Sequence, residues 1–373
     1  MPLAARGVQR TSLIACGAVA ALLLAGCGTD ENTPANAEAP VASDETVDCA
    51  AGTFNGAGSS AQKPAIVAWT AAYQQSCPDV AFNYDAQGSN NGRTQFIQKQ
   101  VPLAGSDAYL VDPQRSQADQ RCAPGSAVDL PMVVTPIAIV YNVEGVDDLT
   151  LTPALIARIF DGKVTRWNDT QIAAANPDAS LPDLSISPVH RSADSGTSEN
   201  LTRFLVAQAK DSWPYKASQA WPNSIGLGAS VSTTMVGQVK NTSGAIGYVD
   251  NPDALKNDLP SARIDLGFGA VKISPESVAA VVDATKVNQK GADITLDLAY
   301  DLKEKGAYPI LLATYEITCT EGLPDDQAKF VKSFLTFTVS DTGQGLLDEL
   351  GYVRLPKNTR AKVQTAIAEL AGP

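Results

Sequence analysis

Histidine is almost missing from this chain. His190 is the only one among 373 residues. A Ser-His-Asp hydrolase would have to use that one imidazole, and a zinc enzyme would have almost none to draw on. No Cys-x-x-Cys pair occurs, so the cysteines do not read as a metal cage, and Gly-x-Ser-x-Gly is absent as well. Basic charge is short: 28 Lys and Arg stand against 40 Asp and Glu, a formal net charge of −12. That excludes the basic field a nucleic-acid binder carries. It also sets long-range steering against any anionic ligand, which would have to be held by local dipoles and a few placed donors. Apolar runs are short too. Residues 132–143 are interrupted by Thr135, Pro136 and Asn142, and a spanning helix needs roughly 20 apolar residues.

What is present begins with the N-terminus. Arg6 and Arg10 precede a short apolar run at residues 13–25, which reads as a removable signal rather than a span. The run ends Leu24-Ala25-Gly26-Cys27, resembling the lipobox of bacterial lipoproteins. Cleavage after residue 26 and acylation of Cys27 are therefore expected, with the protein held at the outer face of the cell membrane. Loss of Arg6 and Arg10 would leave 26 basic against 40 acidic side chains. Residues 27–48 are rich in Ala, Pro, Thr and acid and hold no aromatic, too little apolar surface to order a chain. They are expected to be a tether. Of six cysteines, Cys16 goes with the leader and Cys27 carries lipid. Cys49, Cys77, Cys122 and Cys319 remain, and an even number in an exported chain implies two disulfides. Three pairings are open; Cys77–Cys122 with Cys49–Cys319 is the expected one.

Beyond the tether, strand-like and helix-like segments alternate. Residues 52–57 and 80–84 read as strands, and residues 133–143 form a long apolar, β-branched run. Ile66, Trp69 and Tyr73 mark one helical face; Leu201, Phe204 and Leu205 mark another. This alternation predicts an α/β architecture. Three times a strand leads through a Gly/Ser turn into a helix: at Gly58-Ser59-Ser60, at Gly88-Ser89-Asn90 and at Ser195-Gly196-Thr197. Each such turn aims free backbone N–H groups and a helix dipole at one place, which favours an anion, although hydroxyls there commonly only cap the helix. Arg191 closes a predicted strand just before Ser195, and its fork could hold two oxygens of a tetrahedral anion. Asp107 follows Ala104-Gly105-Ser106. A carboxylate beside an anion makes sense when the anion carries a proton: hydrogen phosphate can donate to it, and sulfate cannot.

The ordered set of segments resembles the substrate-binding component of the bacterial phosphate-specific ABC transporter, over most of residues 53–355. The carriers are Gly56-Ala57-Gly58-Ser59-Ser60-Ala61, Tyr84 through Ser89, Gly105-Ser106-Asp107, residues 159–169, Arg191 through Thr197, Gly244 through Val249 and Tyr308-Pro309-Ile310. The resemblance implies a two-lobed periplasmic-binding-protein-like α/β fold. Each lobe would be a sheet flanked by helices, and the lobes would close on phosphate by a hinge. The first lobe would comprise residues 49–130 and 308–373, the second 131–307, with crossings near Leu130-Pro131 and Tyr308-Pro309. Phosphate contacts would fall to Ser60, Ala61, Ser89, Asp107, Arg191, Ser195, Gly196 and Thr197. Partners would be inorganic phosphate and the permease subunits of an importer. The protein would be a monomer and not an enzyme, with no cofactor, metal or nucleic acid. One position departs from the pattern. The family usually has Asp two residues after the Arg, where it steadies the guanidinium; here that residue is Ala193, and Asp194 follows. Either Asp194 takes over or Arg191 is held less firmly. The altered stretch Gly226-Leu227-Gly228-Ala229-Ser230 has no functional reading from sequence. Binding of sulfate, molybdate or an organophosphate, a purely sensory role, and a serine phosphohydrolase built on Ser195 are the competing readings.

Overall fold

Alternating apolar residues from Phe54 and the helical stripe Ile66-Trp69-Tyr73 set the first strand–helix unit, and the same grammar repeats along the chain. The computed structural model describes residues 48–372; Cys27, the leader and the tether up to residue 47 lie outside the described residues. The elements run β1 (Gly52–Gly58), α1 (Lys63–Ser76), β2 (Val80–Asp85), α2 (Ser89–Ile97), β3 (Leu103–Ser106), α3 (Gln114–Arg121) and the long β4 (Ala127–Asn142). Next come β5 (Thr150–Leu151), α4 (Pro153–Phe160), α5 (Thr170–Ala175), β6 (Ser187–Arg191), α6 (Gly196–Gln208), β7 (Leu227–Ala229), α7 (Ser232–Asn241), β8 (Ala245–Asp250) and α8 (Asn251–Lys256). The remainder holds β9 (Arg263–Asp265), β10 (Ala270–Val271), α9 (Pro275–Asp283), β11 (Lys286–Lys290), β12 (Asp293–Asp297), β13 (Leu311–Cys319), α10 (Asp325–Thr338), α11 (Asp341–Gly345) and α12 (Lys357–Ala368). Among the described residues no helix is long and apolar enough to cross a membrane.

Eight strands join in the order β2-β1-β3-β13-β4-β8-β6-β7. β4 belongs to both lobes. Its first part, Ala127 to Pro136, pairs antiparallel with β13, and Ile137 to Asn142 pair antiparallel with β8. Fifteen of its 16 residues are buried, Asp129 and Thr135 among them, as in a strand covered on both faces. Two prolines are tolerated inside it because each sits at an irregularity. Pro131 faces the register shift of β13 between Thr314 and Tyr315, and Pro136 precedes the change of partner. Tyr308 ties the chain just before β13 to β4 by donating its hydroxyl to Ile137 O at 2.7 Å. The β11–β12 hairpin reaches back to the start of β4, where Asp293 accepts from Asp129 N at 2.7 Å and from Arg115 Nη1 at 3.1 Å.

The disulfides differ from the expected pairing. Cys49 bonds Cys77, and Cys122 bonds Cys319, with Cα separations of 5.4 and 5.2 Å. The reason is topological. α1 returns antiparallel to β1, so its C-cap Cys77 comes back beside the residue that precedes β1. Cys122 caps α3 just before β4, whose first residue Ala127 lies in register with Cys319. Neither adjacency is encoded in cysteine spacing.

Candidate functional site

β1, β2 and β3 are parallel, and so are β6, β7 and β8 in the other lobe. In α/β sheets the loops beyond the carboxyl ends of strands gather ligands. Here Ser59-Ser60-Ala61 follows β1, Ser89 follows β2 and Asp107 follows β3. From the second lobe, Arg191 is the last residue of β6, Ser195-Gly196-Thr197 opens α6, Ser230 follows β7 and Ser232 is the first residue of α7. Close backbone approach builds this edge. A Cβ on Gly58, whose φ is +144°, would lie 1.9 Å from Gly105 O. A Cβ on Gly196 would come within 2.5 Å of Asp107 Cβ and 2.6 Å of Ser89 Oγ, so only glycine lets α6 reach the first lobe.

Six of the residues named from sequence touch one another, Arg191, Ser195 and Ser60 through hydrogen bonds and Asp107, Ser89 and Gly196 through close approach, and Ala61 and Thr197 are their neighbours along the chain. Arg191 Nη1 donates to Ser195 Oγ at 3.0 Å and to Ser60 Oγ at 3.4 Å, the latter across the lobes. Asp107 Oδ1 accepts from Thr314 Oγ1 at 2.8 Å and Oδ2 from Ser89 Oγ at 3.2 Å. Asp107 and Arg191 are 4% and 2% exposed. The Ala61 N–H, one of the expected ligand donors, points to Ser59 Oγ at 3.1 Å. Further bonds pin the lobes together: Asn200 Nδ2 to Asp107 O at 2.8 Å, Arg93 Nη2 to Gln219 Oε1 at 2.6 Å, and Asn90 Nδ2 to Asp194 Oδ2 at 3.2 Å.

The electrostatics are those of a dry site. Burial pushes the Asp107 carboxyl up from its ordinary range, while hydroxyl donors from Ser59, Thr314 and Ser89, and then the Arg191 charge, pull it back. Burial lowers the Arg191 guanidinium, opposed by Tyr248, Asp107 and Asp250. Behind the site, burial drives Glu316 up to about 8, although Gln62 Nε2 donates to its Oε1 at 2.8 Å.

Capping does not use up the turn hydroxyls. Ser195 caps α6, accepting from Ser198 N at 3.3 Å, but α1, α2 and α7 begin at Gln62, Gly88 and Val231 with no side-chain cap. Four helix N-termini thus bring amide dipoles to the same cleft. Thr197 Oγ1 is buried there with no hydrogen-bond partner in the protein, and a buried hydroxyl is costly to leave unpaired. Such a site can surround a compact oxyanion with donors and meet one ligand proton with Asp107.

Some of the machinery was invisible to sequence reasoning. Asp194 does not take over the missing carboxylate: it is exposed and accepts from Asn90. Arg191 is anchored instead by the Ser230 carbonyl, which accepts from Nε at 3.1 Å and from Nη2 at 2.7 Å. Ser230 belongs to the altered glycine stretch, whose departure from the family pattern was the available signal. Asn200, Thr314 and Ser232 gave no sequence signal. The lone His190 stacks on Trp221 with centroids 5.5 Å apart, and its Nδ1 lies 3.0 Å from Arg191 O; the Ser195 hydroxyl accepts from N–H donors instead.

A PBP superfamily domain is matched over residues 43–342. The phosphate-binding protein PstS3 of Mycobacterium bovis is 35% identical over 360 residues, covering 95% of this chain and 96% of that protein. Phosphate-binding protein PstS 2 of Mycobacterium tuberculosis is 35% identical over 371 residues, covering 97% and 98%. This chain belongs to the phosphate-binding proteins of the PBP superfamily. In fold it is similar to the solved phosphate-binding protein of Stenotrophomonas maltophilia, with a TM-score of 0.66 and 19% identity over 84% of this chain and 93% of that one. The expected two-lobed α/β architecture of a phosphate-binding protein is the one found. In this chain the Ser230 carbonyl holds Arg191, where Ala193 offers no carboxylate.

Proposed function

We propose that this protein captures inorganic phosphate outside the cell and delivers it to the permease of an ABC importer, by closure of its lobes and without chemistry. The observation that carries the reading is Arg191. Among the described residues its buried guanidinium bonds no carboxylate, only the Ser230 carbonyl and the hydroxyls of Ser195 and Ser60. An anion within reach of Nη1 would supply the missing opposite charge. Ser60, Ser195 and Thr197 would donate hydroxyls, Ser89 would hold Asp107 beside the anion, and the N-termini of α1, α2, α6 and α7 would add amide dipoles. Asp107 would accept the phosphate proton. The two chain crossings, near Leu130-Pro131 in β4 and near Tyr308-Pro309 just before β13, would serve as the hinge, with residues 49–130 and 308–373 forming the first lobe. The engaged Ser195 hydroxyl and the stacked His190 favour capture over hydrolysis.

Isothermal titration of the full chain in detergent, stripped of phosphate, tests this. One-to-one phosphate binding at micromolar affinity or tighter, about −8.2 kcal/mol, is expected, with no heat from sulfate. Silence with phosphate, or equal heats from both, would refute it.

The protein would work at the outer face of the cell membrane, held by lipid on Cys27. The lipobox and the leader support this, and several acyl chains are needed for stable anchoring. Labelling of cells with a palmitate analogue should mark the protein, and Cys27→Ala should remove the label and release it from membranes.

A further inference from the structure

The segment after β7 does more than hold Arg191. Ser232, the first residue of α7, is 3% exposed and meets Ser60 across the lobes. Its Oγ lies 2.9 Å from Ser60 Oγ, and its backbone N–H donates to the same oxygen at 3.4 Å. Arg191 Nη1 reaches that oxygen at 3.4 Å from another side. A serine hydroxyl has one hydrogen and two lone pairs. With the Ser232 hydroxyl donating at 2.9 Å to one lone pair and the two longer N–H contacts at 3.4 Å sharing the other, the Ser60 hydroxyl has its hydrogen left to give. All three donors belong to the opposite lobe, so they reach Ser60 only when the lobes meet.

We propose that Ser232 is a positioning residue: on closure it locks Ser60 as a donor toward the bound anion and latches the lobes through the Ser60–Ser232 hydroxyl pair. This rests on the phosphate reading above and deepens it. Ser60 takes part in holding the anion, while Ser232 acts through Ser60 and sets how long the closed state lasts. The effect therefore belongs in the release rate, since encounter happens before the hydroxyls meet. One hydroxyl pair corresponds to about a five- to tenfold change.

The test is a stopped-flow and calorimetric cycle on the full chain with inorganic phosphate as the probe. Ser232→Ala should speed phosphate release about five- to tenfold, leave association unchanged and leave the phosphate-free melting temperature unchanged. Ser232→Thr should restore slow release. In a Ser60→Ala background, Ser232→Ala should add almost nothing, because the two side chains act as one unit. Release as slow in Ser232→Ala as in the wild type, or full additivity of the two alanine changes, would overturn the role of Ser232 while leaving phosphate capture intact. A wild-type chain silent to phosphate overturns the capture reading, and this inference with it.

Discussion

Arg191→Met is expected to abolish useful phosphate binding while making the phosphate-free protein no less stable. The two effects share one cause. The guanidinium is 2% exposed, and its hydrogen-bond partners are a carbonyl and two hydroxyls. Burial lowers its pKa, because the surrounding protein solvates the charge less well than water does. Methionine fills similar volume without that desolvation cost, and replacing a buried charge by an apolar side chain is often neutral or stabilising. A bound phosphate would then be buried without its cation. Stranding one partner of a buried pair costs about 3–5 kcal/mol, or about 10²- to 10⁴-fold in affinity. Calorimetry reads the affinity, and a melting curve with and without phosphate reads both halves at once, since a ligand that no longer binds no longer raises the transition. Arg191→Met with phosphate affinity within tenfold of the wild type would remove Arg191 from the site.

Asp107→Asn should collapse discrimination between phosphate and sulfate. The carboxylate is held on both oxygens, by Thr314 on one and Ser89 on the other. Burial raises its pKa, and the hydroxyl donors and then Arg191 oppose that rise. Hydrogen phosphate can donate its proton to that acceptor. Sulfate has none to give and would meet a negative charge head on. Sites built around one obligatory hydrogen bond discriminate by about 10⁴–10⁵. Asparagine keeps the Thr314 bond through its carbonyl but removes the charge and offers an N–H₂ donor that either anion accepts. The expected result is a modest loss of phosphate affinity, a large gain in sulfate affinity, and a selectivity ratio reduced by about 10³ or more. Competition of sulfate against phosphate measures the ratio directly. A ratio unchanged in Asp107→Asn would mean that sulfate is rejected by something other than the proton test.

Much of the architecture was legible in advance. The stripe of Ile66, Trp69 and Tyr73 became the buried face of α1, and Leu201, Phe204 and Leu205 that of α6. The Gly/Ser turns do lie where strands give way to helices, and the structure brings Ser60 to Arg191 and Ser89 to Asp107. The Ser195 turn kept its local role as an N-cap, whereas Ser60 and Ser89 are not caps.

By itself the sequence determined the alternation of strand and helix, the apolar faces and the position of each turn. These depend on periodicity and on the conformational limits of glycine, proline and β-branched residues, all of which act within a few neighbours along the chain. Only the tertiary structure decided which cysteines pair, what anchors Arg191 once Ala193 stands where a carboxylate would, and that Ser232 meets Ser60. Those outcomes rest on strand register and on the closing of one lobe against the other. They join residues as far apart as Cys122 and Cys319, 197 positions, or Ser60 and Ser232, 172 positions. No local rule links such residues, because the free energy of each contact depends on how every segment between them is folded.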